Sequence, residues 1–144
     1  MSVYADTGFV VSLYKAESTS ARASEIMARL RPPIWLSPLG ELELHNAFHL
    51  SVFRGELGKD AAALKKRLFL DDLANGIFLV MPIPAVALYQ KAAELADCHT
   101  ARLGTRSLDL IHVAAALLLK ADTFLSFDER QRKAAKSEGL KLRP

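Results

Sequence analysis

The sequence predicts an α/β fold: one domain over residues 1–144, with a mostly parallel sheet of about five strands and helices on both faces. Three observations predict it. Short runs rich in β-branched and aromatic residues alternate with longer runs of helical period along the whole chain. No fixed-period repeat and no low-complexity linker divides it. Two strand-to-helix junctions repeat one arrangement, an acid at the strand's carboxyl end, which is the edge where open α/β sheets keep their sites. Parallel neighbours need a crossover helix between them, so strict alternation favours parallel pairing.

Composition narrows the class. An apolar content of 51% in 144 residues is enough for a sizeable core without disulfides or structural metal. The single cysteine, Cys98, cannot form an internal disulfide and fits a reducing compartment. Phe9-Val10-Val11 is followed at once by polar residues, and no run approaches the ~20 apolar residues of a membrane span, so a cytoplasmic protein is expected. A net charge of +3 permits a phosphate-bearing partner without requiring one. Lys65, Lys66 and Arg67 read as a solvated helix face, while Lys120 with Arg130, Arg132, Lys133 and Lys136 serve equally as solvent-facing residues or as phosphate contacts.

Val3-Tyr4-Ala5-Asp6 reads as a first strand, followed by Thr7-Gly8 and a helix from Phe9 to Glu17. Ser20 to Leu30 is a second helix, stopped by Pro32-Pro33, and Ile34-Trp35-Leu36 a second strand ending at Ser37-Pro38. Leu39 to Arg54 follows as a long helix, with Leu39, Leu42, Ala47, Leu50 and Phe53 on one face at ~100° per residue. Glu43 and Asn46 fall within that face, and an acid among hydrophobes is rare unless paired or metal-bound. The opposite face, Leu44, Phe48 and Val52 beside Glu41, suits a partner surface such as a homodimer's and equally well a contact with another helix of the same chain.

Gly55 to Gly58 is a turn, and Lys59 to Asn75 a helix with Ala61, Leu64 and Leu68 inward, closed by Gly76. Ile77 to Met81 is a strand, Ala85 to about Ala96 a helix, and Ala101 to Arg106 a loop. From Ser107 a helix places Leu108, Ile111, Ala115, Leu118 and Leu119 on an apolar surface interrupted by Asp109 and His112. Thr123 to Phe127 is a central strand ending on Asp128, then a helix runs from Glu129 to Ser137, and Leu140-Lys141-Leu142 forms a short last strand.

Four acids on four elements stand out: Asp6, Glu43, Asp109 and Asp128. Each has an ordinary use available: Asp109 complements a helix dipole, Asp128 with Gln131 makes a capping box, and Glu43 has a polar contact available in Asn46. Gathered together they would repel and raise one another's pKa unless protons or cations lie between them. An all-oxygen set with no cysteine favours Mg²⁺ or Mn²⁺ over zinc. Two such ions about 3.5 to 4 Å apart serve phosphodiester cleavage. His112 reads as a hydrogen-bonded core residue.

The chain also resembles the PIN domains, and among them the VapC-type ribonuclease toxins of toxin–antitoxin pairs. The matching pieces are Val3-Tyr4-Ala5-Asp6-Thr7, Leu36-Ser37-Pro38 leading to Glu43-Leu44-His45-Asn46-Ala47, Leu108 to Ala114, and Thr123 to Asp128, in the family's order across nearly the whole chain. The resemblance implies a three-layer α/β/α sandwich, Mg²⁺- or Mn²⁺-dependent RNA cleavage by an activated water, homodimerisation, and inhibition by a cognate antitoxin. Carried over, Asp6, Glu43 and Asp109 are core metal ligands and Asp128 the fourth acid, with Thr7, Ser126 and Asn46 in support. The helical wheel and the Asn46-Ala47 match choose Glu43 over Glu41. Ser126 stands where the family more often has threonine, and Gly8 where it has a small serine or alanine.

Two other readings stay open. A non-catalytic module of the same fold, binding RNA or protein, needs no cation. A phosphatase or phospho-acceptor domain also places acids at strand ends, but Asp6-Thr7-Gly8-Phe9 lacks a second acid two residues on, and no lysine ends a late strand.

Overall fold

A computed structural model describes residues Met1–Pro144. Five short strands, β1 (Val3–Ala5), β2 (Ile34–Leu36), β3 (Phe78–Val80), β4 (Thr123–Leu125) and β5 (Lys141–Arg143), form one sheet in the order β3-β2-β1-β4-β5. Every pairing is parallel, with Tyr4 of β1 beside Trp35 on one side and Phe124 on the other. The chain builds outward from β1 to β3, then crosses to the opposite side for β4 and β5. Beside β1 the crossover loops therefore diverge, leaving a crevice at the strands' carboxyl ends.

Alternation along the strands makes two cores. Val3, Ala5, Ile34, Leu36 and Leu125 face one layer, with α1 (Thr7–Tyr14), α2 (Ser20–Met27), α3 (Pro38–Phe53) and α4 (Lys59–Ala74). Tyr4 and Phe124, stacked with centroids 5.7 Å apart, face the other, with α5 (Ala85–Leu95), α7 (Ser107–Leu118) and α8 (Glu129–Ser137). The predicted α/β/α layering is the observed one. Ala114, Ala115 and Ala116 are fully buried and let α7 lie close to the sheet and its helical neighbours. No helix is long and apolar enough to cross a membrane.

Three helices are rotated from their predicted faces. On α3 the residues in the core are Gly40, Leu44, Phe48 and Ser51, while Leu42 and Phe53 are exposed. Of the two uses open to the Leu44 and Phe48 face, cover within the chain is the one realised, and these residues are not a partner surface. On α4 the buried residues are Ala62 and Phe69, with Leu64 and Leu68 exposed. On α7, Leu110, Val113 and Ala114 are buried and Leu108 is half-exposed. Apolar residues lie around much of each of these helices, so periodicity alone selects no face.

Some boundaries also move. The first helix stops at Tyr14, because Lys15 is extended and residues 15–19 form a turn in which the Glu17 N–H donates to Ser20 Oγ. The second ends at Met27. Residues 101–106 are only partly loop: α5 runs on through a π-helical turn, Ala96–Thr100, into α6 (Ala101–Leu103), which Gly104 ends with φ of +65°.

A cleft lined by four acids

Asp6 follows β1 and caps α1. Phe9 N–H donates to its Oδ1 at 2.8 Å, and the Ser126 hydroxyl donates to its Oδ2 at 2.6 Å. Ser126 Oγ in turn accepts from the Asp128 N–H at 3.0 Å, coupling the ends of the adjacent strands β1 and β4. Asp6 is 2% exposed, and burial, strengthened by the charge of Asp128, pushes its pKa above the usual carboxylate range despite those bonds and the attraction of His112.

Glu43 enters from α3, whose start is fixed by Pro38 in its first turn and Ser37 as cap, with Gly40 N–H donating to Ser37 Oγ. Its Oε1 accepts from Thr7 Oγ1 at 2.8 Å and His112 Nε2 at 2.6 Å. Burial acts to raise the Glu43 pKa, but the hydrogen bond and charge of His112 outweigh it and hold the group low. Behind His112, Nδ1 lies 2.8 Å from the Tyr4 hydroxyl, which donates to Ser37 Oγ at 3.0 Å. Burial raises the Tyr4 pKa, so the phenol keeps its proton. The chain from Ser37 through Tyr4 and His112 holds Glu43 from the protein interior.

Asp109 is the third residue of α7 and is 2% exposed. Arg106 N–H and Nε donate to its Oδ2 at 2.9 and 3.1 Å, while Arg106 Nη2 and Gln131 Nε2 donate to its Oδ1 at 3.3 and 3.2 Å. Burial works against the charge, yet the Arg106 bonds prevail and Asp109 stays below its ordinary range. Asp128 caps α8 by accepting from Gln131 N–H at 2.9 Å, and its Oδ2 lies 3.5 Å from Arg106 Nη2.

Asp6, Thr7, Glu43, Asp109 and Asp128 therefore line one cleft of about 590 Å³, together with Arg106, His112 and Gln131. Ser126 acts beneath it through Asp6. Asn46 is not brought in: it is exposed and outside the cleft. Glu41 also lies outside it, 3.9 Å from His45. Sequence reasoning missed Arg106, left in a loop, and Gln131, taken only as a capping partner. It placed His112 in the core, where it is, without its bond to Glu43. The one available signal was the polarity of Asp109 and His112, one turn apart on an otherwise apolar helix.

The donor set suits a hard divalent cation. Four carboxylates and no thiol line the cleft, and Gln131, one of its lining residues, has a buried Oε1 with no hydrogen-bond partner. In the side-chain positions seen, no three of the acidic or histidine groups converge on one point; Asp109 is turned to Arg106 and Glu43 to His112.

The PIN domain family model matches residues 3–137. No curated protein sequence matches the chain significantly. Among solved structures, the chain is similar to the Mycobacterium tuberculosis toxin VapC20, described as cleaving the sarcin-ricin loop, with 21% identity, TM-score 0.71, and 99% of this chain and 100% of that one covered. It is also similar to VapBC2 from Rickettsia felis, bound to a DNA fragment from its promoter, with 17% identity, TM-score 0.67, and coverage of 99% and 98%. FitAcB from Neisseria gonorrhoeae aligns with 18% identity, TM-score 0.64, and coverage of 99% and 96%. At these identities the likeness establishes the shared fold.

Proposed function

This chain belongs to the PIN domain family, and from that premise we propose that it is a metal-dependent endoribonuclease, the toxin of a toxin–antitoxin pair. One observation carries the reading: acids from four separate elements line a single cleft at the carboxyl edge of a parallel sheet. In this reading Asp6, Glu43, Asp109 and Asp128 hold Mg²⁺ or Mn²⁺. The bound cation supplies Lewis-acid chemistry, easing deprotonation of a water and offsetting charge on the scissile phosphate.

The chain's own residues orient these donors. Ser126 fixes one oxygen of Asp6, Thr7 and His112 hold one oxygen of Glu43, and Gln131 steadies Asp109. Glu43 and Asp128 are each anchored through one oxygen, with the second left to the cleft or facing Arg106, whereas Asp6 and Asp109 accept protein hydrogen bonds on both oxygens. The products of an in-line attack would be a 5′-phosphate and a 3′-hydroxyl.

The proposed partners are an RNA substrate, a cognate antitoxin and a second copy of the chain. The similar VapBC2 and FitAcB structures support the antitoxin, and α3 and α4 leave Leu42, Phe53, Leu64 and Leu68 in solvent as apolar surface for protein contacts.

The test is cleavage of a structured RNA pool with Mg²⁺, Mn²⁺ or EDTA, beside Asp6→Asn, Glu43→Gln and Glu41→Gln. Cutting is expected only with metal, lost in Asp6→Asn and Glu43→Gln and kept in Glu41→Gln. Metal-independent cutting, or full activity in Asp6→Asn, would reject the mechanism. Absence of both cleavage and cation binding would return the acids to being caps and ion-pair partners.

A further inference from the structure

Arg106 is placed unlike any other cation in the molecule. It immediately follows Gly104-Thr105 at the break between α6 and α7, its side chain is 65% exposed, and its guanidinium nevertheless bridges two acids of the cleft. Nε and Nη2 address both oxygens of Asp109, and Nη2 also reaches Asp128. No other lysine or arginine lines the cleft.

We propose that Arg106 is an internal counter-ion for the acid cleft, which a divalent cation must displace from Asp109 and Asp128 before the site is loaded. The inference rests on the metal-dependent reading above. A cation held by Asp109 and Asp128 would use oxygens that Arg106 now occupies, and two positive centres on one carboxylate a few ångströms apart repel. The guanidinium is free to leave because its exposed head can be hydrated in either position. Asp109 would not be released with it. Its oxygens keep the Arg106 backbone N–H at 2.9 Å and the Gln131 amide at 3.2 Å, neither of which depends on the guanidinium.

Arg106 is thus a positioning residue that sets the cation affinity rather than a catalytic one. Without the cation it stabilises a cluster of acids that would otherwise repel. With the cation it competes. The two effects have opposite signs, which separates this role from ordinary support of the fold.

The experiment is a direct Mn²⁺ titration, by calorimetry and by loss of the free-Mn²⁺ paramagnetic signal, on wild type, Arg106→Gln and Arg106→Lys. Melting curves in EDTA and in Mn²⁺ accompany it. Arg106→Gln is expected to bind Mn²⁺ about two- to fivefold more tightly, the upper part of the range an ion pair with an exposed arginine contributes. It should also melt lower than wild type in EDTA and gain more from Mn²⁺. Arg106→Lys, which keeps the charge and loses the fork, should fall between. If Arg106→Gln fails to fold, Arg106→Lys alone decides, by binding more tightly than wild type or not. Equal or weaker Mn²⁺ binding by the variants, with measurable binding by wild type, overturns the counter-ion role and leaves the metal reading intact. If neither wild type nor a folded variant binds Mn²⁺, the metal reading fails and this inference with it.

Discussion

Asp6 and Glu43 occupy the same cleft with opposite electrostatic consequences. The pKa of Asp6 is raised by burial, so the folded chain takes up a proton there before the unfolded chain does. A raised acid disfavours folding most above its folded pKa, and that penalty disappears as the pH falls through the raised value toward the ordinary carboxylate range. Asp6→Asn should therefore melt higher than wild type at pH 7 in EDTA, with the difference vanishing on acidification. Thermal melts from pH 3 to 8 check this. Glu43 is lowered, so its contribution is present above the unfolded pKa and is lost as pH falls through the folded one. Glu43→Gln removes the charge next to buried His112 and should destabilise by about 1–2 kcal/mol at pH 7, read by urea unfolding. The residue types at this scale were legible, since an acid on an apolar helix and an acid after a strand are visible in the chain. Their contacts were not: that His112 holds Glu43 depends on α3 and α7 meeting across 69 positions of sequence.

At the scale of elements, existence and type were readable and orientation was not. Each predicted strand and helix forms near its place, with α6 the one helix in a segment read as loop, because strand runs are short and β-rich and most helices are bounded by Pro, Gly or capping side chains. The faces of α3, α4 and α7 differ because each has apolar residues to spare, and the sheet takes only one stripe of them. On α3 that stripe is Leu44 and Phe48, with Phe48 set edge-on to Tyr14. The corrected face makes a sharp contrast. Phe48→Ala should cost about 3–5 kcal/mol by leaving a cavity, whereas Leu42→Ala, at a side chain mostly in solvent, should stay within about 0.5 kcal/mol. Chemical denaturation of both variants checks it; the predicted wheel face would have reversed their order. The rotation also changes the reason for Glu43. It stands at the border of the buried stripe, 26% exposed, which leaves it one side toward His112 and one toward the cleft.

At the scale of the molecule, alternation of strands and helices implied a parallel sheet, but not the order β3-β2-β1-β4-β5, which rests on contacts between distant segments. That order matters for the site. It sets β1 beside β4, so that Asp6 and Asp128 share Ser126, and brings α3 and α7 over the same edge. A site assembled from four elements exists only in the intact fold, and a ligand bound there stabilises all of it. If the cleft takes a divalent cation, saturation to about 100 times its Kd adds about 2.7 kcal/mol, or some 5–10 °C of melting temperature for a domain of this size. Asp6→Asn lacks a donor and should gain far less. The two proteins should therefore exchange rank: the variant melts higher in EDTA, where buried charge at Asp6 works against folding, and wild type melts higher in millimolar Mn²⁺, where that charge is used. A variant that stays above wild type at every Mn²⁺ concentration would show that Asp6 carries its unfavourable burial for some purpose other than a cation.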